Sequence, residues 1–509
     1  MQVLSHTHLF QKDCKETALA APLFNSMPYN QNVLPHTGRF ASVNEQRSGA
    51  DIPSKSDVPN VGGWRDRAPH HSMAFRMHHR VRNTVIYVLV ATLVFVGTAA
   101  AATFLDINST IENGEVRIIP QKGQKEAELV DPNAGKSIEL LVLGQDTRDG
   151  ADNAAIGGGD TSEGSHQADT TMVVQISADR SYINLVSIPR DSLIDAPSCE
   201  TSKGTMSAQY NVMFNSIFAS GYATGDDLAS AASCTVNAVN SLTGLNIQNF
   251  IVVDFNGLKD MINAIGGVKI CIPSDVKDPY TGLDLTKGMH QLDGLSATQY
   301  ARTRYSMGDG SDVQRTTRQQ YLIKQLLQQA LDKNIFTHTS ELYQLAKSAL
   351  KSLNISHGLA DTATLAGLAM SLKNLNVSHV YTRTLPVVTA PNDPNRVVWD
   401  STADQLWAKM REGKPFIEET QQNTNDTDSQ DSSNGNANQQ DSSDQSNAQA
   451  TPQNTKVADG VEKTPDGKYI DTATGGVIDT ETGAVQDANT GQVIGISEAY
   501  LNNVVCPVQ

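Results

Sequence analysis

The chain has 509 residues, and 39 Lys plus Arg against 55 Asp plus Glu give a formal charge of −16. Only 18% of its residues are charged, against about 25% in an ordinary globular chain, so uncharged polar filler is expected somewhere. The acidic balance excludes broad nucleic-acid binding, which needs clustered cations, and five Cys without a CxxC pair exclude a disulfide mini-scaffold, a zinc ribbon and a thioredoxin-like centre.

Residues 1–83 carry scattered Pro, Gly, Asn and His without a sustained period and read as a disordered segment. Residues 84–105, TVIYVLVATLVFVGTAAAATFL, then run 22 residues without a charge. A helix of that length crosses a hydrocarbon core of roughly 30 Å. A buried core helix and a cleaved signal are the alternatives, but a signal's apolar region usually holds about 7–15 residues near the N-terminus. Arg65, Arg67, Arg76, Arg80 and Arg82 precede the run, whereas Asp106, Glu112 and Glu115 follow it. The positive-inside rule places the N-terminus in the cytoplasm and everything beyond residue 105 outside, as a single-pass protein of the cell membrane.

Residues 106–136 read as a polar extracytoplasmic stem, and the folded domain is expected over 137–416. There the apolar strands SIELLVLG, TMVVQIS, YINLVSI, FIVVDF and VKICIP alternate with helical patterns such as NVMFNSIFASGY and DDLASAASCTVNAVNSLTG. The alternation predicts an α/β fold, a layered sheet flanked by helices. A long helix is expected from Val313 to about Lys333, and a closing strand near 377–385. Residues 417–465 form a low-complexity linker, with five Asp as the only charges from 421 to 455, and disorder is expected there. The final segment, 466–509, holds an eight-residue repeat: DTATGGVI, DTETGAVQ and DANTGQVI, starting at Asp471, Asp479 and Asp487. A small stack of β-turns and a flexible or partner-ordered tail both fit it. Outside the membrane, one disulfide is expected among Cys199, Cys234 and Cys271 in an unspecified pairing, with Cys506 the candidate for a free thiol.

Chemistry concentrates in YARTRYSMGDGSDVQRTTRQQ, residues 300–320, which puts Arg302, Arg304, Arg315 and Arg318 within seventeen positions. Ser311 with Gln314 matches a capping box, so Arg315, Arg318 and Gln319 share one face of the first helical turns. Cations there oppose the macrodipole, a poor arrangement for stability and a good one for gripping phosphate with guanidinium forks and free amides. A solvated face paired with Asp309 and Asp312 fits the spacing equally well. Arg302 and Arg304 converge only if the segment is extended. Upstream, Arg190 and Asp191 follow the strand YINLVSI, Asp146 follows LLVLG, and Asp169 precedes TMVVQIS. Carboxylates at strand ends beside an arginine-rich anion site suggest a hard divalent cation such as Mg²⁺, although each Asp alone is more often a turn residue or a cap. No GxSxG, HExxH or GxxxxGK[ST] motif occurs.

Taken in order, LVLGQDTR (141–148), ADTTMVVQIS (168–177), VSIPRDS (186–192), FIVVDFNGLKDMINAIGGVKICIP (250–273), LDGLSATQYARTR (292–304) and GDGSDVQRTTRQQ (308–320) resemble the LytR-CpsA-Psr family. The resemblance covers roughly residues 137–390 and implies a cell-wall glycopolymer transferase. Such an enzyme takes a polymer from a polyprenyl-pyrophosphate carrier in the membrane lipid and joins it to peptidoglycan through a phosphodiester bond. Carried onto matching positions, it implies Asp146 and Asp169 as Mg²⁺ ligands. Arg190, Arg302, Arg304, Arg315 and Gln319 would hold the pyrophosphate, helped by Arg148 and Arg318, with Asp312 orienting the arginines. Asp191 is the candidate for orienting Arg190 or accepting a proton. The polyprenyl chain would need an apolar cleft, for which Phe214, Ile217, Phe218, Leu322 and Leu326 are candidates if they are not ordinary core. The glycine-rich segment from Gly150 to Gln167 departs from the pattern, and the geometry of the two carboxylates depends on it. A polyprenyl-pyrophosphate hydrolase and a non-catalytic binder of lipid-linked polymer are the competing readings.

Overall fold

The uncharged run lies within one helix, His70–Gly114, in the computed structural model, which describes residues 70–122, 128–147, 166–332, 346–348, 350–417 and 454–507. From Val81 to Gly114 the helix is long and apolar enough to cross a membrane. Its large side chains stand open, Leu93 at 71% and Phe95 at 73% exposure, a surface suited to hydrocarbon rather than water. Thr92, Thr98 and Thr103 turn their hydroxyls back onto the carbonyls of Val88, Val94 and Ala99 at 2.8–2.9 Å. Each hydroxyl is thereby satisfied without solvent.

The segment after the apolar run is not a free stem. Asp106 pairs with Lys347 at 2.5 Å, Ile111 is buried, and Glu115–Val116 joins the main sheet as its edge strand. Gly114 permits this junction, because a Cβ there would lie 2.6 Å from the Leu353 carbonyl oxygen. The contacts are tertiary and leave no local period, so the sequence alone gives only a polar stretch.

Among the described residues, the main sheet has seven strands in the order Glu115–Val116, Leu353–Ser356, Asn249–Val253, Ile138–Asp146, Gln167–Ile176, Ile183–Ile188 and Val380–Thr384. Pairing is mixed: Ile138–Asp146 runs parallel to Asn249–Val253 and antiparallel to Gln167–Ile176. Alternation along Ile138–Asp146 sends Leu141 and Leu143 into one core with Phe214, Ile217, Phe218 and Trp407. It sends Ile138 and Leu140 into a second core with Ile183 and Val380. With both faces covered, Ile183–Ile188 is buried at every position, as its continuous apolar run requires. The sheet is the layered α/β arrangement that the alternation predicts.

Helices begin where the sequence supplies a capping Asp. Asp227, Asp254, Asp293 and Asp361 accept from the amides of Ser230, Gly257, Ser296 and Thr364 at 2.7–2.8 Å. The long arginine helix spans Asp312–Asp332. Its Leu322 and Leu326 belong to a third core built with Val268–Ile272. The five residues considered for a lipid cleft are therefore divided between two packed cores. Burial of that kind looks the same in sequence as a lipid-facing wall.

Of the two possibilities for the repeat, the turn stack forms. Six antiparallel strands lie between Thr455 and Ile496. In each unit the Thr amide donates to the Asp carboxylate three residues earlier, and the Gly that follows Thr donates to the Asp carbonyl at 2.7–2.8 Å. Gly475, Gly483 and Gly491 have φ of 70–74°, a left-handed conformation that favours glycine. This sheet buries Val461, Ile478, Val485, Tyr500 and Leu501 against the third core. Two disulfides form, Cys199–Cys234 and Cys271–Cys506. Cys506 is thus not free: its remoteness in sequence disappears once the C-terminal sheet docks. Of the linker expected over 417–465, residues 418–453 lie outside the described residues, whereas Thr455–Ala458 and Val461–Lys463 are not linker but the first two strands of this sheet, ordered by pairing that a short polar stretch does not announce.

Candidate functional site

The antiparallel pairing that sets Asp146 opposite Gln167 brings Asp146, at the end of one strand, and Asp169, near the start of the next, to the same edge of the sheet. A register shift after Gly144 accommodates the turn of the chain, and a Cβ on Gly144 would sit 2.9 Å from the Thr170 Cβ. Arg190 follows Ile183–Ile188 at this edge, and Asp254 follows Asn249–Val253. Strand ends of this kind are where α/β sheets collect ligands.

A cavity of about 200 Å³ opens there, lined by Asp146, Asp169, Thr170, Arg190, Arg302, Arg304, Arg315 and Gln319. Val253, Phe255, Leu258 and Ala301 make part of the lining apolar, with Asp254 among them. The open question about Arg302 and Arg304 is decided by chain geometry. The helix Gly294–Arg302 stops at Arg302, Thr303 turns extended, and both guanidinium groups reach the cavity. The Arg302 guanidinium lies 4.4 Å from the centre of the Phe255 ring, an attraction that also orients the group.

Asp169 is the hub. Arg190 Nη1 donates to its Oδ2 at 2.5 Å, Arg315 Nη1 lies 3.7 Å from the same oxygen, and Arg315 Nη2 donates to its backbone carbonyl at 2.8 Å. Burial pushes the Asp169 carboxyl up, but the charges of Arg190 and then Arg315, with hydrogen bonds from Arg190 and Asn215, outweigh it. The group is held below the usual carboxylate range. Asp312 faces the same arginines: its Oδ2 accepts the Arg190 amide at 2.8 Å, and its Oδ1 lies 2.5 Å from Arg315 Nη2. As an acid in the helix's first turn it also offsets the cost of placing Arg315 there. Ser311 caps that turn, accepting from the Gln314 amide at 3.3 Å.

Other candidates fall elsewhere. Arg318 does not line the cavity: it is buried and donates to the carbonyls of Thr303 and Met307. Burial lowers its guanidinium to about 10, so it stays charged at neutral pH. Its place is beneath the loop that carries Arg304, which separates it from Arg315 despite their shared helix face. Gln319 donates to the Ala301 carbonyl and accepts from Thr170, both at 3.0 Å. Asp191 lies outside the cavity lining, 3.7–3.8 Å from Arg190, Arg304 and Arg396. Held by three cations, it suits positioning rather than proton transfer. Arg148 and most of the segment from Gly150 to Gln167 lie outside the described residues.

Sequence reasoning missed Arg396, Asn215, Thr170 and Phe255. Arg396 sits in the hairpin 387–399, remote from every motif, and comes beside Asp191 because Val397 donates to the Asp191 carbonyl at 3.2 Å. No local signal marks it. Thr170, next to Asp169, was open to detection from strand alternation.

The family model described as the LytR_cpsA_psr family matches residues 102–412. Among curated relatives, the cell wall biosynthesis protein LcpA of Corynebacterium glutamicum is 27% identical over 321 residues, 60% of this chain and 61% of that protein. The polyisoprenyl-teichoic acid–peptidoglycan teichoic acid transferase TagT of Bacillus subtilis is 25% identical over 299 residues, 57% of this chain and 82% of that protein. The match spans about three-fifths of the length of LcpA and of LcpB from the same organism. Among solved structures, a LytR-Csp2A-Psr enzyme from Actinomyces oris aligns at 22% identity with a TM-score of 0.39, covering 58% of this chain and 94% of that one. Bacillus subtilis TagT aligns at 20% identity with a TM-score of 0.41, covering 59% and 98%.

Proposed function

Because the chain belongs to the LytR-CpsA-Psr family, we propose that it transfers a glycopolymer from a polyprenyl-pyrophosphate carrier to a peptidoglycan hydroxyl, forming a phosphodiester. The observation that carries this reading is the cavity itself, in which Arg190, Arg302, Arg304 and Arg315 converge with three carboxylates beside the apolar side chains of Val253, Phe255, Leu258 and Ala301. Guanidinium forks match phosphate oxygens, and the apolar side chains suit the first isoprene units of the carrier. The relatives named teichoic acid transferases support a lipid-linked donor and a peptidoglycan acceptor. No nucleic acid enters. The apolar helix supports a single-pass membrane anchor, with the cytoplasmic N-terminus resting on the arginine asymmetry around it.

The acceptor hydroxyl oxygen attacks the phosphorus that carries the polymer. A new P–O bond forms, the P–O bond of the pyrophosphate bridge breaks, and the lipid phosphate leaves with that electron pair and takes up the proton that the hydroxyl releases. Arg302 and Arg304 neutralise charge on the leaving phosphate, and Arg190 and Arg315, fixed by Asp169 and Asp312, hold the polymer-bearing one. Asp191 keeps Arg190 and Arg304 aimed. The donor set fits Mg²⁺: three carboxylates line the cavity, of which Asp254 also caps the Gly257 amide, and among the described residues no group of three His, Cys, Asp or Glu forms a protein cage. Mg²⁺ ordinarily takes about one or two carboxylates and completes its shell with phosphate and water. Asp146 and Asp169 would hold the ion, which supplies charge neutralisation at the pyrophosphate oxygens.

The test incubates the full chain in detergent with a polyprenyl-pyrophosphate oligosaccharide and peptidoglycan fragments, with and without Mg²⁺. Mass spectrometry should find a phosphodiester-linked conjugate, reduced on the order of 100-fold by Arg302→Ala and lost on chelation. Lipid phosphate release without conjugate would replace the transferase with a hydrolase, and tight lipid binding without turnover would leave a binding protein.

A further inference from the structure

A separate cavity, of about 400 Å³, lies at the seam between the main sheet and the C-terminal sheet. One side is the outer edge of Val380–Thr384, which among the described residues pairs only with Ile183–Ile188. The other is Val493–Ile496, which pairs only with Ala484–Gln486. More than half of the lining falls beyond residue 412, where the family match ends, so the cavity stands apart from the transferase site.

Lys324, Arg383, Asp471 and Glu498 line it, and three of them are already matched. Lys324 pairs with Glu498 at 3.0 Å. The Asp471 carboxylate accepts from the Thr474 amide and hydroxyl at 3.1 and 2.7 Å, and from the Ser497 hydroxyl at 2.7 Å. Arg383, in contrast, donates only to the carbonyl of the preceding Thr382, at 3.1 Å, and meets no carboxylate at ion-pair distance among the described residues. A guanidinium presents several N–H donors in a fixed fork, so most of this one's donors have no acceptor in the protein.

The backbone that carries it is pinned. Gln320 donates to the Arg383 carbonyl at 2.9 Å and to the Ser187 hydroxyl at 2.8 Å. Burial lowers the Arg383 pKa, with Asp471 opposing, because a cation withdrawn from water without a counterion is costly.

We propose that this cavity binds a carboxylate carried on a small apolar body, either the carboxyl end of a peptide or a free aliphatic amino acid, with Arg383 as the fork that grips it. The setting favours carboxylate over phosphate: Asp471 and Glu498 oppose a dianion, whereas one open guanidinium matches the two oxygens of a carboxylate. Val380, Val485, Ile494 and Ile496 make the remaining lining suit a short aliphatic side chain. The inference does not depend on the pyrophosphate reading above.

The experiment titrates the full chain in detergent with four probes, followed by ligand-observed NMR: N-acetyl-alanyl-alanine, its C-terminal amide, free alanine and inorganic phosphate. The peptide acid should bind, and its amide should bind roughly tenfold more weakly. Arg383→Gln should weaken the acid by a similar factor. Ala473→Trp, which adds bulk at an exposed position of the lining, should do the same and keeps the test open if Arg383→Gln fails to fold. Tighter binding of the peptide than of alanine assigns the site to a peptide end, and the reverse assigns it to a free amino acid. Equal affinity for acid and amide, unchanged affinity in both variants, or no binding of either carboxylate overturns the proposal. Phosphate bound through Arg383 in preference to both carboxylates overturns it as well.

Discussion

Asp169 shows how one residue serves both stability and site geometry. It is a half-buried carboxylate whose charge is satisfied by Arg190 and Arg315, so Asp169→Asn leaves two guanidinium groups facing a neutral amide. The expected cost is about 3 kcal/mol, read as a shift in the urea unfolding midpoint. Its lowered pKa fixes the sign of the pH effect. The stabilisation is complete above the ordinary carboxylate range and disappears as pH falls through the lowered value. Between pH 5 and pH 2 the parent should therefore lose more stability than Asp169→Asn. Arg318 acts at one remove: Arg318→Met should speed amide hydrogen exchange across residues 303–307 and lower kcat/KM, while Arg302, on the helix before the loop, keeps its place over Phe255. The residue types at the site were legible, since arginines and aspartates at strand and helix ends announce an anion site. Which arginine faces the cavity was not legible, because Arg315 and Arg318 share a helix face and only the loop packed against them separates their roles.

At the scale of elements, the eight-residue repeat is the clearest passage from sequence to structure. Asp, three residues later Thr, then Gly, makes one turn, and strands of two to four residues between turns make one sheet. Replacing any of the three repeat glycines with Ala strains a left-handed residue, at roughly 1 kcal/mol. Gly483→Ala should cost the most, because its Cβ would meet Leu501 at 2.8 Å, whereas Gly491 has nothing within 4 Å. Thermal unfolding of Gly483→Ala, Gly491→Ala and the parent checks that order. Strands and helices of the main domain were legible for a related reason, since continuous burial and Asp caps are local signals. The edge strand Glu115–Val116 was not, because two residues carry no period and its place comes from pairing with Leu353–Ser356.

For the whole molecule, the Cys271–Cys506 bridge spans 235 residues and ties the C-terminal sheet to the core beneath the arginine helix. Closing so long a loop restricts the unfolded chain by about 5 kcal/mol in the entropic limit. Cys506→Ser should lower the midpoint of thermal unfolding and open residues 454–507 to protease, with pyrophosphate binding at the cavity retained. Protection of that segment equal to the parent's would show that its apolar contacts suffice alone. By itself the sequence determined the apolar helix, the layered α/β class, the strand-end carboxylates and the clustered arginines, because each is written in spacing between near neighbours. Only the tertiary structure decided the disulfide partners, the docking of residues 106–116, the burial of Arg318 and the meeting of Arg396 with Asp191. These depend on contacts between segments tens to hundreds of residues apart, and such contacts are fixed by packing and sheet order, which no local pattern encodes.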